Sequence, residues 1–310
     1  NKMVGIIILN YNTWEESKEC IKSIISSKPQ TDYKIYLVDN NSPVTCDRDY
    51  LLFLDESGVV FIANKENRGY AAGNNVGIKR ALQDECDAIV ICNSDILFNE
   101  GTIDGLYKRL FKDEKIGIIG PQVLYKGRPD HITRYCKTEF PQKYFGTTFL
   151  RHFYPSINKR YYGLDLPEDE ERFCHDVSGC CFMMKNTCAR QITPLDEHTF
   201  LFEEELIMGI RCSENGYKVL YYPYVNVIHN HSGSTSKSAS FSYIKGTMSE
   251  LYYCRRYLNA NSLQIIPLYL IRVMSYIRRM LTDAGYRRDF RKYLTTTIKG
   301  FGMPIESFNS

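Results

Sequence analysis

The chain has 310 residues, of which 44% are hydrophobic and 24% charged, enough to support one large domain with an appendage or two modest domains. Its formal net charge of +3 is too small to mark a nucleic-acid binder, so no nucleic-acid partner is expected. Eleven cysteines, odd in number and scattered, argue against a disulfide framework and for a reducing cytosol.

Residues 4–9 form a continuous apolar run, as in a strand buried on both faces. Residues 15–27 read as a helix with Cys20, Ile21, Ile24 and Ile25 on its apolar side. Further strands are expected at 34–38, 59–63, 88–92 and 116–120, with helices at 73–82 and 102–112. Strands alternating with helices in this way predict βαβ units and an α/β fold with a mostly parallel sheet. Residues 125–172 show no period and read as an irregular insertion over the pocket, with a solvated charge run at 168–172. Beyond it, strands are expected at 177–184, 218–222 and 225–228, and a helix at 206–215 stopped by Gly216. Residues 232–242 read as a Ser/Gly loop, and the rest as helices rich in tyrosine, leucine and arginine. The longest apolar run, 263–274, is interrupted by Pro267 and Arg272 and falls short of the roughly 18 residues that a membrane-spanning helix needs. The first residues run straight into a strand pattern with no secretory leader, so a cytoplasmic location is expected.

In parallel α/β sheets, ligands bind beyond the carboxyl ends of the strands. Four polar clusters stand there: Asn10-Tyr11-Asn12, Asp39-Asn40-Asn41-Ser42, residues 67–75 and Asn93-Ser94-Asp95. Asp95 supplies the hard oxygen that Mg²⁺ or Mn²⁺ prefers, although a turn or helix cap would use the same residues. Asp39 can accept from a pyrimidine N3–H or close an Asx-turn. The segment holding Asn67, Gly69, Tyr70, Asn74 and Asn75 lets a ligand approach the backbone, yet it is neither a Walker loop nor a dinucleotide fingerprint. Among Glu203, Glu204 and Glu205, a buried member with a raised pKa would suit a general base, while Glu203 reads as a solvated first-turn residue facing the helix dipole. His229 and His231 precede the Ser/Gly loop and could meet metal or phosphate. Cys174, Cys180, Cys181 and Cys188 lack the paired spacing of a zinc site.

Taken in order, IIILNYN (6–12), VDNNS (38–42), NRGYAAGNNVGI (67–78), NSD (93–95), VSG (177–179), FLFEEE (200–205) and HNHSGST (229–235) resemble glycosyltransferase family 2, in particular its bacterial rhamnosyltransferase-like branch, over about residues 3–258. The resemblance implies a GT-A fold and inverting transfer from a UDP- or dTDP-sugar to a saccharide or lipid-linked acceptor in cell-surface polysaccharide synthesis. It places Asn10, Tyr11, Asn12, Asp39 and Asn41 at the nucleoside, and Asn67, Gly69, Tyr70, Asn74 and Asn75 in the donor loop. Asn93 and Ser94 fall at the D-x-D position, with Asp95 and His229 as metal ligands. The resemblance implies Glu205 as the base, with Glu204 as the fallback. Glutamate stands at 205 where the family usually has aspartate, and Ile207 where a second acid is common.

The implied organisation is a GT-A domain over 1–240, split into a nucleotide-sugar half (1–122) and an acceptor half (123–240). A helical region over 241–310 follows, whose basic, aromatic character suits a peripheral membrane contact, a helical cap or a homo-oligomer interface. A non-catalytic nucleotide-sugar-binding subunit and a nucleotidyltransferase are the alternatives.

Overall fold

The computed structural model describes residues 2–130, 132–230 and 239–310. Its first half alternates strand and helix: β1 (Met3–Asn10), α1 (Trp14–Ser26), β2 (Asp32–Asp39), α2 (Arg48–Glu56), β3 (Val60–Ala63), α3 (Tyr70–Gln83), β4 (Ala88–Asn93), β5 (Ile96–Phe98), α4 (Thr102–Leu110) and β6 (Ile116–Tyr125). Then come β7 (Arg128–Pro129), α5 (Phe140–Thr147), α6 (Pro155–Tyr162), β8 (Arg172–Cys174), β9 (Cys181–Lys185), α7 (Asn186–Ile192), α8 (Glu204–Glu214) and β10 (Lys218–His229). Three 19-residue helices, α9 (Ala239–Tyr257), α10 (Ser262–Met280) and α11 (Ala284–Gly302), complete the chain.

The strands form one sheet in the order β3-β2-β1-β4-β9-β6-β10-β5. The first four are mutually parallel, whereas β9 runs antiparallel to both β4 and β6, so the sheet as a whole is mixed. Alternation within the apolar runs sorts side chains to two faces. Val4, Ile6 and Ile8 of β1 pack with α1, α2 and α4, while Ile7 packs with α3, α7 and α8 on the other face. The result is a helix-sheet-helix sandwich. The chain passes from β1 to β2 on one side of β1 and then returns to β4 on the other, which opens a crevice at the carboxyl ends of these strands.

Several boundaries depart from the sequence reading. Helix α2 and strand β5 carried too short a pattern to stand out. Helix α3 begins at Tyr70, three residues before the expected start, because Gly69 at φ +99° turns the chain directly into it. The stretch 125–172 is not irregular, since it contains α5 and α6. Of the expected charge run, Glu171 pairs with Arg109 and Arg172 enters β8, so only its first part is solvated. Residues 177–180 precede β9 instead of extending it. The two strands expected at 218–222 and 225–228 are one, β10, interrupted by a register shift between Tyr222 and Asn226. Of the expected loop 232–242, residues 232–238 lie outside the described residues and the remainder belongs to α9.

The C-terminal helices are packed against the sandwich. Leu206, Ile207 and Ile210 on the outer side of α8 share a core with Leu251, Tyr252 and Tyr253 of α9 and Ile265 and Leu268 of α10. A buried ion network crosses this seam. The Lys143 ammonium on α5 lies 2.7 Å from both Glu203 oxygens and 3.3 Å from Glu250 on α9. Arg272 on α10 grips Glu250 with two bonds of 2.8 Å and also donates to the Thr147 carbonyl on α5. Glu203 is therefore not a solvated first-turn residue: its side chain is only 11% exposed, and the residue sits at φ +69° immediately before α8. Burial alone would raise the Glu250 carboxyl, but Arg272 and Lys143 outweigh it and bring it down to about 2.

Replacing Lys143 with Met would leave Glu203 and Glu250 buried without their shared cation. The expected loss is about 3–5 kcal/mol of unfolding free energy, read by urea denaturation at neutral pH. A folded-state pKa depressed at Glu250 contributes stability that is complete above about pH 4.5 and lost as pH falls toward 2. Without Lys143 both buried carboxyls rise and take up protons as the pH falls, so the gap between wild type and Lys143→Met should be widest at pH 7 and above and narrow toward lower pH.

Candidate active site

Parallel register brings the polar strand ends together. Asn10 lies opposite Asp39, and the neighbouring Leu9 lies opposite Asn93. The Asn10 amide is fully buried. It donates to Asp39 Oδ1 at 2.9 Å, and its own Oδ1 accepts from Thr13 and Ser17 at 3.1 and 2.7 Å. Asp39 also accepts from the Ser42 hydroxyl and, through Oδ2, from the Ser42 N–H at 3.1 Å. A carboxylate has roughly four lone-pair sites, so these three bonds leave one for a ligand. Asn12 and Asn41 both take left-handed backbone, at φ +55° and +60°, which asparagine tolerates, and Tyr11 stands between Asn10 and Asn12. Ser42 fastens this corner by accepting the Asn12 N–H at 2.6 Å.

Asn93-Ser94-Asp95 forms the turn from β4 into β5. The antiparallel pairing of β5 with β10 sets His229 opposite Ile96, and the Asn230 N–H donates to the Asp95 carbonyl at 2.9 Å. As a result, His229 Nε2 lies 3.3 Å from Asp95 Oδ2, with both residues buried. Ser94 shares a 2.8 Å hydroxyl contact with Thr13. Among the described residues, no group of three or more His, Cys, Asp or Glu converges as a complete metal cage. A pair comprising one carboxylate and one imidazole nevertheless fits Mg²⁺ or Mn²⁺, which take much of their shell from diphosphate oxygens and water. His231 lies outside the described residues.

The donor-loop segment is held from two sides. The Asn67 side chain accepts the Gly69 N–H and an Asn40 amide hydrogen, both at 3.0 Å. A Cβ at Gly69 would sit 2.2 Å from the Phe200 carbonyl, so only glycine fits this contact. The next N–H, of Tyr70, donates to that same carbonyl at 3.0 Å. The Tyr70 hydroxyl then donates to the Gly179 carbonyl at 2.6 Å, and the Gly179 N–H donates to Glu205 Oε1 at 3.2 Å. One residue of the VSG segment thus couples the donor loop to the expected base. Asn74 is buried and bonds back to the Tyr70 carbonyl. Asn75 points elsewhere: its side chain exchanges bonds with Leu195 and donates to Glu197. It lines a cavity of about 590 Å³ between α3 and residues 190–197, whose lining includes none of Asp39, Asp95, Glu205 and His229.

The adjacent glutamates have different surroundings. Glu204 is buried, and its Oε1 has no hydrogen-bond partner among the described residues. Burial, reinforced by Glu205, pushes its carboxyl well above the usual range. Glu205 instead has a hydrogen-bonded oxygen. Sequence reasoning missed Arg134 and Asp176, which pair at 2.6 Å near Glu205. Burial lifts the Asp176 carboxyl to about 7 despite Arg134. Neither residue lies in a recognisable motif, and Arg134 comes from the insertion. Ser42 and Gly179 were visible within VDNNS and VSG, but nothing in the sequence gave their bonding roles.

A mixed sheet opening at the ends of β1, β2 and β4, with an acid and a histidine on one rim and paired glutamates on another, defines a GT-A glycosyltransferase. Two solved structures share the fold. GalNAc-T7 with UDP, GalNAc and Mn²⁺ superposes with a TM-score of 0.59 at 15% identity, over 82% of this chain and 47% of that one. The mannosyltransferase PcManGT from Pyrobaculum calidifontis, in complex with GDP-Man and Mn²⁺, gives 0.54 at 14% identity, over 96% and 83%. The chain belongs to glycosyl transferase family 2, whose profile matches residues 5–192. It is 26% identical to the low-salt glycan biosynthesis hexosyltransferase Agl10 of Haloferax volcanii, over 73% of this chain and 67% of that protein. It is also 25% identical to an N-acetylglucosaminyl-diphospho-decaprenol L-rhamnosyltransferase of Mycobacterium tuberculosis, over 49% of each. The chain thus spans about half the length of GalNAc-T7 and of the rhamnosyltransferase.

A folded-state pKa raised at Glu204 favours the protonated carboxyl. Its contribution to stability is complete below about pH 4.5 and is lost as pH rises through the raised value. Glu204→Gln copies the protonated group, so urea midpoints measured from pH 5 to 9 should fall less steeply with pH in this variant than in wild type.

Proposed function

We propose that this glycosyltransferase moves a sugar, with inversion, from a UDP- or dTDP-sugar to a hydroxyl of a saccharide or lipid-linked acceptor in cell-surface polysaccharide synthesis. The observation that carries this reading is the Tyr70–Gly179–Glu205 chain of hydrogen bonds, which ties the donor loop to the carboxylate best suited to act as base. Glu205 takes the proton of the acceptor hydroxyl. The acceptor oxygen then forms its bond to the anomeric carbon as the bond to the diphosphate breaks on the opposite side. Positioning of the two substrates supplies much of the rate. Glu204 is buried, whereas Glu205 is oriented by the Gly179 N–H and linked to the donor loop, so the role falls to Glu205.

The free acceptor site on Asp39 suits a pyrimidine N3–H, with Tyr11 and the left-handed Asn12 and Asn41 around it. Asp95 and His229 would hold Mg²⁺ or Mn²⁺, a cation that neutralises charge on the departing diphosphate. A lipid-linked acceptor accords with the name of the mycobacterial relative, whose substrate is a diphospho-decaprenol.

Glu205→Gln should lower transfer by about 10²–10⁴-fold while leaving donor binding intact, measured by product formation and by ligand-induced thermal shift. Retained transfer would remove Glu205 from the role. A panel of nucleoside diphosphate sugars with and without Mn²⁺ should give a metal-dependent rise in melting temperature selective for a uridine or thymidine sugar, and Asp95→Ala should abolish the metal dependence. Binding without turnover would instead indicate a non-catalytic nucleotide-sugar-binding subunit.

A further inference from the structure

Helix α10 is apolar on two sides. Ile265, Leu268, Tyr269 and Tyr276 face the core, as a packed helix requires. On the opposite side Leu263, Ile266, Leu270, Met274, Ile277 and Leu281 are all exposed, the two end residues at 80% and 79%. Their spacing of three and four residues draws a single stripe about 27 Å long, from the 1.5 Å rise of an α-helix. No ordinary monomer surface needs such a stripe.

A second exposed apolar group lies in the insertion. Phe149, Phe153 and Tyr154 of the insertion are exposed, Phe153 at 70%. Arg272, on the core-facing side of α10 with Leu268 and Tyr276, donates to both the carbonyl and the hydroxyl of Thr147, two residues before Phe149, which holds the insertion to the helix.

The charge around this face is predominantly positive. Residues 255–310 hold ten Lys and Arg against three Asp and Glu, while the rest of the chain holds 29 against 33. Among the described residues, only Arg272 and Arg288 of the arginines in this stretch form ion pairs. Arg278, Arg279, Arg287 and Arg291 are exposed at the C-terminal end of the stripe and beyond it. A second copy of the chain is a poor occupant, because a two-fold interface would turn this cationic patch onto itself. No helix among the described residues is long and apolar enough to cross a membrane.

We infer that the α10 stripe and the Phe149–Tyr154 rim together form a docking face for an anionic bilayer, with apolar side chains entering the headgroup boundary and arginines meeting lipid phosphates. This deepens the proposed lipid-linked acceptor. It also gives the insertion a task, since the same segment that touches the bilayer leads through α5 and Lys143 to Glu203, just before the expected base. An acceptor held at the membrane surface would thereby meet the site without leaving the lipid.

The test is co-sedimentation of the full chain with vesicles of phosphatidylcholine alone or with about one third phosphatidylglycerol. Anionic vesicles should bind at least about tenfold more tightly than neutral ones, and salt should weaken the binding. The pairs Leu270→Ser/Met274→Ser and Phe149→Ser/Phe153→Ser should each weaken it by about fivefold or more with the melting temperature unchanged, because these side chains are solvent-exposed. No vesicle binding by the parent, or binding unchanged in both pairs, overturns the inference. So does a concentration-dependent dimer that the same substitutions dissociate, which would make the face a protein interface. Vesicle binding is read without donor or transfer, so its failure leaves the transferase reading standing, and failure of Glu205→Gln leaves this one standing.

Discussion

The buried ammonium of Lys143 is the point on which the two halves of this molecule meet. It lies between Glu203, at the entry to α8, and Glu250, in the middle of α9. A buried charge is tolerated only where partners surround it, and here every partner comes from a different element. The geometry of α8's first turn is therefore not a local matter. The left-handed Glu203 is held by a side chain from the insertion, and that side chain shares Glu250 with Arg272 on the C-terminal helices. The tail returns as well, since the Asn309 amide donates to the carbonyls of Arg68 and Glu197, on either side of the donor loop's contact with Phe200.

This bracing explains how two consecutive glutamates can have separate chemistry. At the start of a helix, neighbouring side chains diverge by about 100°. One is turned into the protein and one toward Gly179. The buried member loses its water without gaining a partner for Oε1, which raises its carboxyl pKa. The other receives the Gly179 N–H. Gly179 allows this contact because a Cβ there would lie 2.6 Å from Glu205 Oε1.

Much of residues 1–122 could be read from the chain itself. The apolar runs of β1, β2 and β4 are buried on both faces, so hydrophobicity alone marked them, and the polar residues at their ends fell in register because parallel pairing aligns them. The insertion resisted because its helices are short and half-exposed, held by Lys143, Tyr161 and capping bonds instead of a continuous apolar face. Glu203 resisted for a related reason: a carboxylate at a helix start satisfies the macrodipole whether or not a buried cation awaits it. Arg134 and Asp176 belong to no motif and meet only because one isolated bridge joins their backbones.

The sequence by itself determined the α/β alternation, the family and the order of the polar clusters, because periodicity and short motifs are local and survive without any partner. Tertiary structure decided which members of those clusters face one another. It set Asp95 beside His229 across 134 residues of chain, turned Asn75 away to Leu195, and separated the environments of Glu204 and Glu205. Burial, pKa and ion pairing depend on neighbours distant in sequence, and only the folded chain brings those neighbours within reach.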